Sequence, residues 1–331
     1  MKAGKKLLLV LTVVLLSTLL LGVGLNVALA QEEEKVNIWV VVHGGIADPF
    51  WKRVEKGVMD AASNHPDLEV TYTGPSVYNF TEFMADIEAA IASEPDALVC
   101  TLTEPDAMDE VLRTAIADGL PVVAINAPDL REPPESRIPV LTYVGEDSYY
   151  IGVAAAEETL KRFTPKRAVF ANHHPGAKNI EMRSRGFIET MEKNGVPAES
   201  LDITADAVQG AEVTLAYLTA NPDTEVIFST NTLRTEAIVT RLLDEGIDVG
   251  NEVKIASMDI SDKVLEYIQE GKVMFTLDQQ QYLQGYLGVE FAYLNAKYGF
   301  TPPPAPVSTG PAVITAEDIP NLLEGVEKGY R

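Results

Sequence analysis

VNIWVVVHGGIADPFWKRVEKGVMDAA, residues 36–62, reads as a strand followed by a helix. Residues 36–42 are a nearly unbroken apolar run of strand length, which suits a strand covered on both faces. The run leads into Asp48-Pro49-Phe50-Trp51. Phe50, Val54, Val58 and Ala61 then recur at helical spacing.

The same unit repeats along the chain. Ten apolar runs of strand length alternate with helical patterns, from 36–42 through 68–73, 96–101, 121–126, 140–144, 167–172, 200–205, 225–230 and 253–258 to 273–277. Most are continuous rather than alternating, so the pattern predicts right-handed βαβ crossovers and open, doubly wound parallel sheets. Residues 128–139 carry four prolines and many charges and read as a loop, after which a fresh strand–helix series begins. Ten strands fit one large sheet or two smaller ones, and the break favours two similar halves of about five strands each. Residues 301–306 are a second Pro-rich crossing.

The first thirty residues stand apart. Lys2, Lys5 and Lys6 precede an apolar run from Leu7 to about Leu25, and Ala28-Leu29-Ala30 offers small residues at the spacing a signal peptidase reads. Residues 1–30 are expected to be a signal peptide cleaved after Ala30, the alternative being a retained membrane anchor. With no Cys at that site, a lipid anchor is not supported. The expected location is the periplasm or the cell surface.

Removing those three lysines leaves 23 basic residues against 49 acidic ones, a formal charge of −26. Such a surface repels phosphate backbones and argues against nucleic-acid binding. Cys100 is the sole cysteine and sits in an apolar run. It reads as a small buried hydrophobe, with no disulfide and no Cys-based metal site within reach. No nucleophile elbow, P-loop, dinucleotide-binding glycine turn or H-E-x-x-H helix occurs. Neither cofactor nor metal is expected.

In doubly wound sheets, ligands collect at the carboxyl ends of strands. The polar residues there are His43, Thr103-Glu104, Asn126, Asn172-His173-His174, Asn231, Asp259 and Asp278-Gln279. A row of hydrogen-bonding groups from both halves suits a hydroxyl-rich ligand.

The opening stretch resembles periplasmic sugar-binding proteins of the ribose-binding type, which are related to the ligand core of lactose-repressor-like regulators. Asp48-Pro49-Phe50-Trp51 stands where the ribose binder has Asn-Pro-Phe-Phe. Gly119-Leu120-Pro121-Val122-Val123 resembles the family's Gly-x-Pro-Val-Val entry to a strand. Val144-Gly145-Glu146-Asp147 with Gly152 is similar to its Val-Gly-x-Asp hinge and following helix. Gly186-Phe187 matches a Gly-Phe helix pair, and Asp278-Gln279 with Gly285-Tyr286 resembles the last hinge. The resemblance spans residues 36–315. It implies two lobes of the type I periplasmic binding fold, 36–143 plus 280–306 for the N-terminal lobe and 144–279 plus 307–331 for the C-terminal lobe, joined by a three-strand hinge near Val144, Gln279 and Pro306.

The resemblance also implies site residues. Phe50 and Trp51 match the aromatic pair that stacks on a sugar ring. Phe50 shares the buried helical face, so Trp51 is expected to be the better ligand contact. Asn126 replaces a carboxylate, and Ala127 the Arg beside it. Glu181 stands where the family often has a sugar-binding Arg, and Arg183, two positions on, is the alternative. Asn231, Asp259 and Gln279 match further ligand contacts, while His43 and His174 are cleft candidates on placement alone. The implied function is not enzymatic: a monomer traps a small sugar or polyol by hinge closure and delivers it to an ABC permease and its ATPase. The competing readings are an exported α/β enzyme acting on a carbohydrate, and a binder feeding a chemoreceptor or sensor kinase. A transcription regulator is disfavoured, because a signal segment stands where a DNA-binding domain would.

Overall fold

The computed structural model describes residues 35–331 apart from 46, 47, 205 and 304. The candidate signal segment, 1–30, lies outside the described residues.

The described chain alternates strands and helices throughout. The first series is β1 (Val36–Val41), α1 (Pro49–Ser63), β2 (Leu68–Thr73), α2 (Phe80–Ala92), β3 (Ala97–Cys100), α3 (Pro105–Ala117), β4 (Val122–Ile125) and β5 (Thr142–Gly145). The second is α4 (Ser148–Leu160), β6 (Ala168–Asn172), α5 (Lys178–Lys193), β7 (Ala198–Asp202), α6 (Ala207–Ala220), β8 (Val226–Ser229), α7 (Thr232–Asp244), β9 (Lys254–Met258), α8 (Asp262–Gln269) and β10 (Val273–Asp278). Then come α9 (Gln281–Tyr298), β11 (Val307–Ser308), β12 (Ala312–Ile314) and α10 (Ile319–Glu327).

These strands form two six-stranded sheets, ordered β11-β5-β4-β3-β1-β2 and β12-β10-β9-β8-β6-β7. Every pairing is parallel except that of β12 with β10. The α/β class and the two doubly wound lobes expected from the sequence are therefore present. Both faces of each sheet are covered, as continuous apolar strands require. In the first lobe, Val40, Val99 and Ile125 pack against Val54, Val58 and Val289. On the opposite face, Val41 and Leu98 pack against Phe83, Ile87 and Leu112, with Cys100 among them. Burial raises the Cys100 thiol to about 12, an inert packing group. In the second lobe, Phe170, Phe228 and Phe275 pack against Phe187 and Met191, and Val169, Ile227 and Ile255 against Ile238, Leu242 and Val264.

The chain crosses between sheets three times, and the strand memberships place those crossings. Val144 and Gly145 still pair with the first sheet, and Val307-Ser308 pairs with Val144-Gly145. The crossings thus follow Gly145, Asp278 and Ser308, rather than residues 143, 279 and 306. β11 and β12, one in each sheet, are too short to show a period. β7 ends at Asp202 rather than 205, and Ile203 beyond it is fully buried in the second core.

Glycines permit the closest helix contacts. A Cβ on Gly57 would lie 2.1 Å from Tyr282 O, and one on Gly285 2.2 Å from Val54 O, so α1 and α9 touch backbone to backbone. Gly152 and Gly186 do the same for α4 and α5, at 2.0 Å from Arg183 O and 2.1 Å from Tyr149 O.

Candidate functional site

Strand order 2-1-3-4-5 in each lobe puts the topological switch between the first and third strands, where the crossovers diverge and leave a crevice. In the first lobe Val41 pairs with Cys100, and in the second Ala171 pairs with Ser229. Two residues beyond Val41 and Ala171 stand His43 and His173; one beyond Cys100 and Ser229 stand Thr101 and Thr230. The crevices are bridged alike: His43 Nδ1 lies 2.9 Å from Thr101 Oγ1, and His173 Nδ1 3.0 Å from Thr230 Oγ1. Burial lowers both imidazoles to about 3, helped at His43 by His174 and at His173 by Arg234 and Arg183. Both rings are neutral at physiological pH.

Asn126 and Asp259 follow the fourth strand of each lobe with left-handed backbones, φ 61° and 69°. This conformation is most accessible to Gly, Asn and Asp. Both side chains meet at the hinge. Gln279 Nε2 donates to Asp259 Oδ1 at 2.9 Å, and Gln279 Oε1 accepts from Asn126 Nδ2 at 3.4 Å. Gln281 Nε2 donates to the same Asp259 oxygen at 2.7 Å, and Gln284 Oε1 accepts from Asn126 Nδ2 at 3.1 Å. Sequence reasoning missed Gln281 and Gln284; their mark was a helix start carrying amides where apolar residues would pack. Burial raises the Asp259 carboxyl to about 7, against the pull of Gln279, Arg183 and Arg53. Asp259 Oδ2 has no hydrogen bond to the described residues.

Helix α5 turns Arg183 inward and Glu181 outward. Ile180, Arg183, Ser184 and Phe187 are its inward face. Arg183 is buried, with Nη2 2.8 Å from Glu146 Oε1. Glu146 Oε1 also accepts from Ser148 Oγ at 2.7 Å. Glu181 is exposed, and its Oε1 accepts from Asn172 Nδ2 and from the Gly176 N–H, both at 3.0 Å, which ties down the loop after β6.

The remaining candidates divide between caps and cleft walls. Asp48 caps α1, accepting from Phe50 N at 2.8 Å. Asn231 caps α7, accepting from Leu233 N at 3.0 Å and from Arg234 Nη1 at 3.2 Å. Trp51 is 6% exposed and belongs to the first core, whereas Phe50 is half-buried. The burial order expected for this pair is thus reversed. The indole folds over Gly44, where a Cβ would lie 1.5 Å from Nε1. His43 meets the Trp51 ring edge-on at 4.9 Å. Exposed His174 faces Tyr78 of the other lobe, ring centroids 5.9 Å apart.

Several buried polar atoms here lack a hydrogen-bond partner: Arg53 Nε on α1, Arg183 Nε on α5 and Glu146 Oε2 at the hinge. The field of Arg53 reaches Asp259, and that of Asp48 reaches Arg234. Charged groups of the two lobes therefore face each other at the strand ends. Among the described residues, no cluster of three or more His, Cys, Asp or Glu is placed to hold a metal ion.

A model of the periplasmic binding protein domain matches residues 38–299, most of the chain. The chain belongs to the periplasmic binding protein family. Among curated relatives of this periplasmic binding protein is the xylose/arabinose-binding protein XylF of Sulfolobus acidocaldarius, 26% identical over 308 residues, covering 88% of this chain and 75% of the relative. The ribose import binding protein RbsB of Bacillus subtilis is 25% identical over 248 residues, covering 74% and 77%. Among solved structures, a carbohydrate transporter from Acidothermus cellulolyticus in complex with myo-inositol superposes with a TM-score of 0.78 at 24% identity, over 90% of this chain and all of the other. A periplasmic sugar-binding protein from Legionella pneumophila gives 0.74 at 25% identity, over 83% of this chain and all of the other.

Proposed function

We propose that this periplasmic binding protein is an exported receptor that captures a neutral, hydroxyl-rich molecule, a sugar or sugar alcohol, and hands it to an ABC importer. The observation that carries the reading is the amide of Gln279, which joins Asn126 of one lobe to Asp259 of the other at 3.4 and 2.9 Å. Amides, neutral imidazoles and single carboxylate oxygens from both lobes match hydroxyl groups, each of which donates and accepts. The relatives named for xylose, arabinose and ribose support the same class.

Trapping follows from the topology. Three crossings join the lobes, so relative rotation needs adjustments in only a few hinge residues. A guest touching both lobes at once binds the closed form best, and that differential affinity moves the population toward closure. No bond is made or broken in the guest. The closed form is what the permease and its ATPase receive, with the binding protein acting as a monomer outside the cytoplasm, exported through residues 1–30.

A thermal-shift screen of residues 31–331 against sugars and polyols tests the reading. A specific guest at 100–1,000 times its dissociation constant adds about 3–4 kcal/mol of stability, readable as a rise in melting temperature. No shift with any sugar or polyol, or chemical conversion of the guest, overturns it.

A further inference from the structure

We propose that His43 and His173 form a matched pair of ligand-reading residues, one in each lobe, each presenting its ring Nε2 to the guest. The inference rests on the reading that the cleft takes a sugar or polyol.

The argument starts from topology. The two histidines occupy the same register in two sheets of the same strand order, at the crevice where the chain reverses its winding. Each is held by the same kind of bond, from Nδ1 to a threonine that follows the third strand of its lobe. Thr101 and Thr230 are buried, which fixes the plane of each ring. A ring so held has one polar atom left. Neither His43 Nε2 nor His173 Nε2 makes a hydrogen bond to the described residues.

Both rings stand just past the strand ends that border the crevice, His43 also edge-on to buried Phe83 at 6.3 Å. His43 lies edge-on to Trp51 and Tyr78, centroids 4.9 and 5.8 Å away, and feels the field of His174 from the other lobe. His173 feels Arg183 and Arg234, and Arg183 in turn feels out to Asp259. A neutral imidazole offers one donor or one acceptor at Nε2, according to which nitrogen carries the proton. The pair therefore reads hydroxyl groups on two sides of one guest. His174, next in sequence to His173, points instead to Tyr78 at the exposed rim.

Two substitutions at each position separate this role from clamping a loop. Asparagine places its amide near the Nδ1 site and can keep the threonine bond, but has nothing at Nε2. Glutamine reaches the Nε2 site and gives up the threonine bond. Calorimetric titration with D-xylose, D-ribose, L-arabinose and myo-inositol, beside unfolding of the unliganded protein, reads both properties. For whichever of these binds the wild type, His173→Asn and His43→Asn are expected to lose about tenfold or more in affinity with melting temperature nearly unchanged. Glutamine is expected to retain more affinity than asparagine. If an asparagine variant does not fold, Thr230→Val and Thr101→Val, which release the rings, are expected to weaken binding in the same direction. Wild-type binding that is unaltered within twofold in the asparagine or valine variants overturns this inference alone. Failure of all four compounds to bind the wild type overturns the parent reading for this panel and the inference with it.

Discussion

Asn126 and Asp259 are counterparts: each follows the fourth strand of its lobe with a left-handed backbone, and each is hydrogen-bonded to Gln279. The Gln279 amide has a polarity that fits both, its nitrogen toward the carboxylate and its oxygen toward the Asn amide.

Gln279→Glu reverses half of that match. A carboxylate replaces the donor that faces Asp259 Oδ1, leaving that oxygen with Gln281 alone. The expected cost is about 1–3 kcal/mol, together with loss of sugar affinity. Urea unfolding at pH 8 reads the cost, and the deficit is expected to shrink at pH 5, where one of the two acids takes up a proton.

Asp259 gives the protein a pH dependence of defined sign. Burial raises its carboxyl to about 7, above the ordinary unfolded value. Between those values the native state holds a proton that the unfolded chain has lost. The associated stability is fully present below the unfolded value and is lost as pH rises through about 7, a change on the order of 4 kcal/mol. Asp259→Asn removes it. The stability of wild type minus that of the variant is expected to fall from pH 5 to pH 8; parallel curves contradict this.

Arg183 and Glu146 are a buried ion pair. Arg183→Met leaves a carboxylate 1% exposed with Ser148 as its remaining partner, and removal of one member of such a pair costs about 3–5 kcal/mol. Glu181→Ala, on the exposed side of the same helix, is expected to cost no more than about 1 kcal/mol. Chemical denaturation of the two variants checks the order.

Gly285→Ala tests the contact between α1 and α9. Its Cβ would lie 2.2 Å from Val54 O, and relief requires the helices to part. A loss of about 1–3 kcal/mol is expected, measurable in urea.

The lobes and most of their strands were legible because each strand is a run that must be covered on both faces. The strands β11 and β12 were not, since two or three residues carry no period. At the site, Asn126, Asp259 and Gln279 could be placed by strand ends alone. The burial order of Trp51 and Phe50 was read the wrong way round, because the indole is buried by folding over Gly44, a contact the helical pattern does not show. His173 and His174 differ by one position, and a strand end known to within a residue does not say which is held against Thr230 and which lies exposed. The burial of Arg183 was legible in its own helix: Ile180, Ser184 and Phe187 share its face, and Glu181 does not.

Electron density of the protein crystallised with the sugar or polyol that stabilises it most tests the central claim directly. One guest is expected between the ends of β1 and β3 on one side and of β6 and β8 on the other, with a hydroxyl within hydrogen-bond distance of Asp259 Oδ2. A guest seated elsewhere, such as the groove of about 470 Å³ lined by Leu233, Arg241 and Tyr267, or a guest touching a single lobe, would contradict it.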